Sequence, residues 1–210
     1  QAFWRRYAAN REVSAEGMIA TGTAVALARF KPEFTADGSY GPTAKVAAVV
    51  QGATTGPSLW YLDPGNLQAE PGPSLATQDA ALHTLIQEND GAVMHLTSGP
   101  SGWSVYRYVQ DQQPTAFLTN AVPDVRDAHL VPFLGNWVVV QVDNTAAGKR
   151  ALFWHFDAAG GQVGYPVIRE LGPQSLLADP ICPYAARVPQ GVQLVCADAQ
   201  AVFYSPQEPA

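Results

Sequence analysis

The 210-residue chain predicts an α+β fold. A long N-terminal helix packs on an antiparallel β-sheet, with a short second helix and a C-terminal disulfide loop. Three observations carry this expectation. Residues 1–31 contain no proline and many alanines, and Pro32 is the first residue whose ring and missing N–H must end a helix. From Ala44 onward, short Val- and aromatic-rich runs alternate with Gly, Pro, Asn and Asp turns, the pattern of consecutive hairpins. Nothing in that order suggests the strand–helix–strand alternation of a parallel sheet. Two parts are therefore expected: a helix over 1–31 and a mainly antiparallel β head over 32–210.

The helix rests on a stripe. Phe3, Tyr7, Ser14, Met18, Thr21, Val25 and Ala28 are spaced by threes, fours and one seven, which sets them on one helical face. Val13 and Leu27 fall on the opposite side, and Gly17 and Gly22 weaken the pattern. The sequence starts at Gln1, with no Ser, Thr, Asp or Asn before Phe3 to cap a helix, so the helix is expected to be cut rather than begun here.

The second helix is expected over about 78–89. Thr77 serves as N-cap, Asp79 lies in the first turn, Leu82, Leu85 and Ile86 form the apolar stripe, and Gly91 is the stop. The strands come from runs at 44–51, 58–62, 92–97, 103–110, 137–142, 151–156, 163–169, 192–196 and 201–204. Asp63-Pro64-Gly65-Asn66 closes one as a turn, and Pro71-Gly72-Pro73 reads as a loop. Pro166 makes its run an edge or bulged strand.

Composition narrows the function. Charged residues form 14% of the chain, below the roughly 25% usual for soluble domains, and neutral polar residues replace them. That surface is typical of exported chains. The net charge of −6 is uneven: residues 1–31 hold Arg5, Arg6, Arg11, Arg29 and Lys31 against Glu12 and Glu16, leaving −9 on the rest. Nucleic acid remains a conceivable partner of the basic segment, but an acidic body does not indicate it. Cys182 and Cys196, 14 apart and framed by prolines, suit a disulfide closing a loop; two free buried thiols are the alternative. No run reaches the 18 apolar residues of a membrane span.

The chain offers little catalytic chemistry. Gly17 to Thr23 spells Gly-x-x-x-x-Gly-Thr but lacks the P-loop lysine. Gly99-Pro100-Ser101-Gly102 is one residue short of a nucleophile elbow and sits in a hairpin turn. His83, His95, His129 and His155 stand apart, without the spacing that sets two imidazoles on one face. Asp143, Asn144 and Asp157 are the conceivable oxygen ligands for calcium, though no spacing rule supports them. Trp60, Tyr61, Trp103, Tyr106, Tyr108, Trp137, Phe153 and Trp154 are either core packing, the commoner role at strand spacing, or a ligand-stacking surface. No catalytic, cofactor or metal site is expected.

The run Tyr7-Ala8-Ala9-Asn10-Arg11-Glu12-Val13-Ser14-Ala15-Glu16-Gly17-Met18, followed by the small and apolar stretch from Ala20 to Ala28, resembles the exposed half of the spine helix of type IV pilins and type II secretion pseudopilins. The resemblance implies a minor pilin-like structural subunit of an extracellular filament or pseudopilus. It would assemble through Phe3, Trp4, Tyr7, Arg11, Met18, Val25 and Ala28, and Cys182 and Cys196 would bound the family's C-terminal loop. Its partners would be other pilin or pseudopilin subunits, and the inner membrane through an upstream segment. It would need no cofactor, sit at the cell surface or in the periplasm, and serve motility, adhesion, DNA uptake or secretion. The competing expectation is a secreted carbohydrate- or ligand-binding β module that uses surface aromatics. A hydrolase with a site assembled from distant residues is the third.

Overall fold

The computed structural model describes residues 1–7, 10–27, 29–30, 46–52, 56–63, 68–75, 82–88, 92–99, 102–109, 112–120, 125–145, 148–171, 184–188, 191–195 and 201–204. These residues form strands: β1 (Ala2–Tyr7), β2 (Val13–Ala20), β3 (Thr23–Leu27), β4 (Arg29–Phe30), β5 (Val46–Gly52), β6 (Gly56–Leu62), β7 (Ala69–Ser74), β8 (Leu82–Gln87) and β9 (Val93–Gly99). There follow β10 (Gly102–Tyr108), β11 (Thr115–Asn120), β12 (Val125–Phe133), β13 (Asn136–Thr145), β14 (Gly148–Phe156), β15 (Val167–Glu170), β16 (Tyr184–Val188), β17 (Gly191–Val195) and β18 (Ala201–Tyr204). Among the described residues there is no helix, so the fold is all-β, not α+β.

The strands are ordered β1-β2, β3-β5-β6-β7, β11-β10-β9-β8-β4, β12-β13-β14-β15 and β16-β17-β18. The pairing of β4 with β8 is parallel. Sheets β3-β5-β6-β7 and β12-β13-β14-β15 are antiparallel, and the second is a plain meander of consecutive strands.

The expected spine helix is the first correction. Phe3 pairs with Met18, Trp4 with Gly17 and Arg5 with Glu16 in an antiparallel ribbon. Side chains alternate with period two: Phe3, Glu16 and Met18 are exposed, whereas Trp4 and Gly17 are half-buried. The turn between the strands is local chemistry. Asn10 Oδ1 accepts from the backbone N–H of Glu12 at 3.1 Å, an Asx turn, and Arg11 takes a left-handed φ of 68°. Aromatic and β-branched residues, Phe3, Trp4, Tyr7, Val13 and Ile19, favour the pleated surface over the helix that the alanines suggested. A pilin-like spine is thereby ruled out, and with it the filament subunit that the resemblance implied.

The second expected helix is also replaced by a strand. Leu82–Gln87 forms β8, in which Leu85, Ile86 and Gln87 are all buried. A short apolar run buried on both faces carries no period of its own, so helix and strand patterns coincide there. The expected cap Thr77 lies outside the described residues. Pro71 and Pro73 belong to β7, the edge of its sheet, where a missing N–H breaks no ladder.

The chain divides into two compact units. One comprises Gln1–Asp79, His83–His95 and Tyr106–Ala116, the other Ala80–Leu82, Leu96–Val105 and Phe117–Ala210. The first buries Ala47, Val49, Leu59, Tyr61, Leu85 and Val93 in one cluster. A second cluster seats the ribbon's inner face, with Ala2, Ile19 and Ala20 against Val50, Trp60 and Leu62. The second unit buries Val138, Val140 and Val142 of β13 with Ala151 and Phe153 of β14 and Val192 and Leu194 of β17.

Candidate functional site

The β12–β15 meander carries the most developed side-chain chemistry. The register Val138↔His155, Val140↔Phe153 and Val142↔Ala151 puts those residues on the face that enters the apolar core. The opposite face of the same two strands carries Trp137, Val139, Gln141 and Asp143 with Arg150, Leu152, Trp154 and Phe156.

On that face the polar groups form a closed relay. Oε1 of Gln141 accepts two indole N–H groups, from Trp103 at 2.9 Å and Trp154 at 3.1 Å. The Gln141 amide then donates to Oδ1 of Asp143. Oδ2 of Asp143 accepts from Arg150 Nε at 3.3 Å and Nη2 at 3.2 Å. Trp103 meets Phe156 edge-to-face, with ring centroids 6.0 Å apart. Gln141 and Asp143 are buried, so each bond replaces one otherwise made to water. The relay fixes the indoles, and its Gln141 and Asp143 are buried away from solvent. It is structural.

One end of the same meander is different. Phe133 pairs with Asn136 across Leu134-Gly135, a two-residue hairpin turn whose φ angles are 49° and 80°. Both central residues are left-handed, as in a type I′ turn. The connection from β14 to β15 leaves from this same end, because Trp137 pairs with Phe156. There the carboxylate Oδ1 of Asp157 accepts from the N–H groups of Ala159 (2.9 Å) and Gly161 (2.8 Å). Asp157 N–H donates to the carbonyl of Gly161, and Val163 N–H to that of His155, both at 2.8 Å. Gln162 Nε2 donates to the carbonyl of Gly164, whose φ is +69°.

This bonded loop nevertheless presents apolar side chains to solvent. Tyr165 is 82% exposed and Val163 is also exposed, and on the β12–β13 turn Leu134 is 67% exposed. At the same end of β13 and β14, Asn136 Nδ2 and His155 Nε2 lie 3.1 Å apart. The amide nitrogen is a donor, so the contact is a hydrogen bond when the ring nitrogen carries no proton. Burial holds the His155 pKa below its ordinary value, against the opposing pull of the Asp157 carboxylate. This end thus carries a hydrogen-bonded loop, exposed apolar side chains on that loop and on the β12–β13 turn, and an imidazole–amide pair. Such a surface can hold a ligand; it contains no serine or cysteine nucleophile.

The residues singled out from sequence are differently placed. Trp103, Tyr108, Trp137, Phe153 and Tyr61 are buried, which settles them as packing; Trp60, Tyr106 and Trp154 are half-buried. Asp143 pairs with Arg150 near one end of the hairpin, and Asp157 follows Phe156 at the other, so the two cannot share a calcium ion. Among the described residues no three His, Cys, Asp or Glu groups cluster as metal ligands. Phe3, Trp4, Tyr7 and Met18 lie on the β1–β2 ribbon, Arg11 in its turn and Val25 in β3. Ala28, Cys182 and Cys196 lie outside the described residues, and the expected disulfide with them. Tyr165 was missed. Its signal was the string Gly164-Tyr165-Pro166, an aromatic held between two residues that interrupt strand alternation.

No family model matches the chain, and no curated protein matches it. Among solved structures, the crystal structure of TolB from Acinetobacter baumannii aligns over 93% of this chain and 47% of its own, at 11% identity and a TM-score of 0.48. The chain thus spans about half the length of that structure. A likeness of this size assigns neither function nor partner.

Proposed function

We propose that the chain is a non-catalytic binding module that engages its ligand through the turn end of the β12–β15 meander. The observation that supports this is the 82% exposure of Tyr165 on a loop otherwise held by its own hydrogen bonds. A large aromatic kept in water on an ordered backbone loses little conformational freedom when a ligand covers it. Val163 and Leu134 are further exposed apolar side chains at this end, and Asn136 with His155 supplies hydrogen-bonding groups there. The ligand is accordingly one with an apolar face and neutral polar groups, such as a saccharide or an uncharged peptide. The reading includes an extracytoplasmic setting, supported by the low charged fraction of 14%.

The test screens the chain against a glycan array and a phage-displayed peptide library, then measures recovered ligands on wild type and Tyr165→Ala. The expected result is a saturable ligand whose affinity falls about tenfold in the variant, the scale of one aromatic hot spot. Ligands that bind both proteins equally contradict the proposal.

A further inference from the structure

The described residues of the first unit expose three large apolar side chains, Phe3, Val13 and Met18, and all three lie on the β1–β2 ribbon. The ribbon's outer face has an ordered arrangement. Phe3 sits directly opposite Met18, and Arg5 directly opposite Glu16, one pleat further along. Phe3 is 59% and Met18 52% exposed. Arg5 Nε and Glu16 Oε2 are 3.0 Å apart in an exposed ion pair. Trp4, on the other face, packs against the cluster of Ala2, Ile19, Ala20 and Val50.

We infer that this outer face is a self-association surface, on which a second copy of the chain seats its own ribbon face to face. The argument is symmetry. A twofold axis parallel to the strands keeps each residue's level along the ribbon and exchanges β1 with β2. Phe3 then covers Met18 of the second copy, and Arg5 meets its Glu16. Phe3 and Met18 thus find apolar partners, and Arg5 and Glu16 meet opposite charges. A patch of one charge would instead repel its copy.

The area limits the strength. A single ribbon face is well below the roughly 800 Å² per partner of a standard interface, so the dimer is weak and forms at high concentration. It is independent of the Tyr165 end, which lies in the other unit.

Sedimentation velocity of the intact chain from roughly 10 µM to roughly 1 mM tests this, spanning the range expected for so small an interface. Wild type is expected to shift toward a dimer as concentration rises. Arg5→Glu leaves two carboxylates on the face and Glu16→Arg two cations, so each variant alone stays monomeric. Mixed one to one, the two associate more tightly than wild type, and added salt dissolves the mixed dimer. Met18→Ser, which leaves the charges untouched, also weakens wild-type association. Thermal unfolding of each variant verifies its fold. A wild type that remains monomeric throughout overturns the inference, as does association that both charge variants leave unchanged.

Discussion

The indole of Trp4 covers Gly17 on the facing strand. A methyl group added at Gly17 would stand 2.8 Å from Trp4 Nε1 and 2.9 Å from Cε2 and Cζ2. The glycine that weakens a helix is therefore the space into which the ribbon's main aromatic packs, an arrangement that offsets the poor strand propensity of glycine. Gly17→Val is expected to expel the indole and cost about 1–3 kcal/mol, the range for overpacking. Urea denaturation should show the lower midpoint, with Trp fluorescence shifted to the red before unfolding.

The Gln141 relay should be far less tolerant than its polarity suggests. Gln141→Leu keeps the bulk but leaves two indole N–H groups and one Asp143 oxygen without their acceptor and donor. Orphaned buried groups cost about 1–3 kcal/mol each, partly relieved by water at half-buried Trp154. A loss of roughly 3 kcal/mol in chemical denaturation is expected. A loss under roughly 1 kcal/mol would mean that the relay contributes little.

Leu134 holds a strained backbone without compensating burial. Its φ of 49° is in the left-handed region, and two-thirds of its surface is open. Asn at the first position of a type I′ turn followed by Gly135 is the favoured pair. Leu134→Asn should raise stability by about 1 kcal/mol in thermal or urea unfolding. The same substitution removes an apolar side chain from the proposed binding end, so ligand affinity should fall while stability rises.

His155 predicts a pH dependence with a definite sign. Its folded pKa is lowered by burial, so between that value and the ordinary 6.5 the unfolded chain binds the extra proton. The contribution of His155 is full above pH 6.5, falls as pH drops toward the folded pKa, and is constant below it. Unfolding free energies of wild type and His155→Gln, measured from pH 7.5 to 5, should diverge less as the pH falls through this window. A difference between the two that is independent of pH would contradict the assignment.

The β half of the chain was legible because its strands advertise themselves. Trp137 to Val142 is too β-branched for any other element, and its hairpin with 151–156 follows from the intervening turn residues. The N-terminus was misread for a physical reason. Phe3, Tyr7, Met18 and Val25 fit a helical stripe, yet Phe3, Arg5, Glu16 and Met18 equally fit alternating strand faces. Asn10-Arg11, the turn that separates the two readings, carries no Gly or Pro to announce it. The aromatic inventory failed at the site for a related reason: most of its aromatics at strand spacing are drawn into the core or half-buried, whereas Tyr165 lies outside the strands. Tyr165 falls within the expected strand run 163–169, but Gly164 and Pro166 interrupt its alternation, and β15 begins only at Val167.

The central claim is that Tyr165 meets a ligand, and isothermal titration with a ligand recovered from the array or library tests it most directly. Wild type, Tyr165→Phe and Tyr165→Ala should rank in that order, with Tyr165→Ala weaker by about tenfold. All three should share the same unfolding midpoint, since the side chain is 82% exposed. Equal affinities across the three proteins would show that the ligand binds elsewhere and would contradict the account.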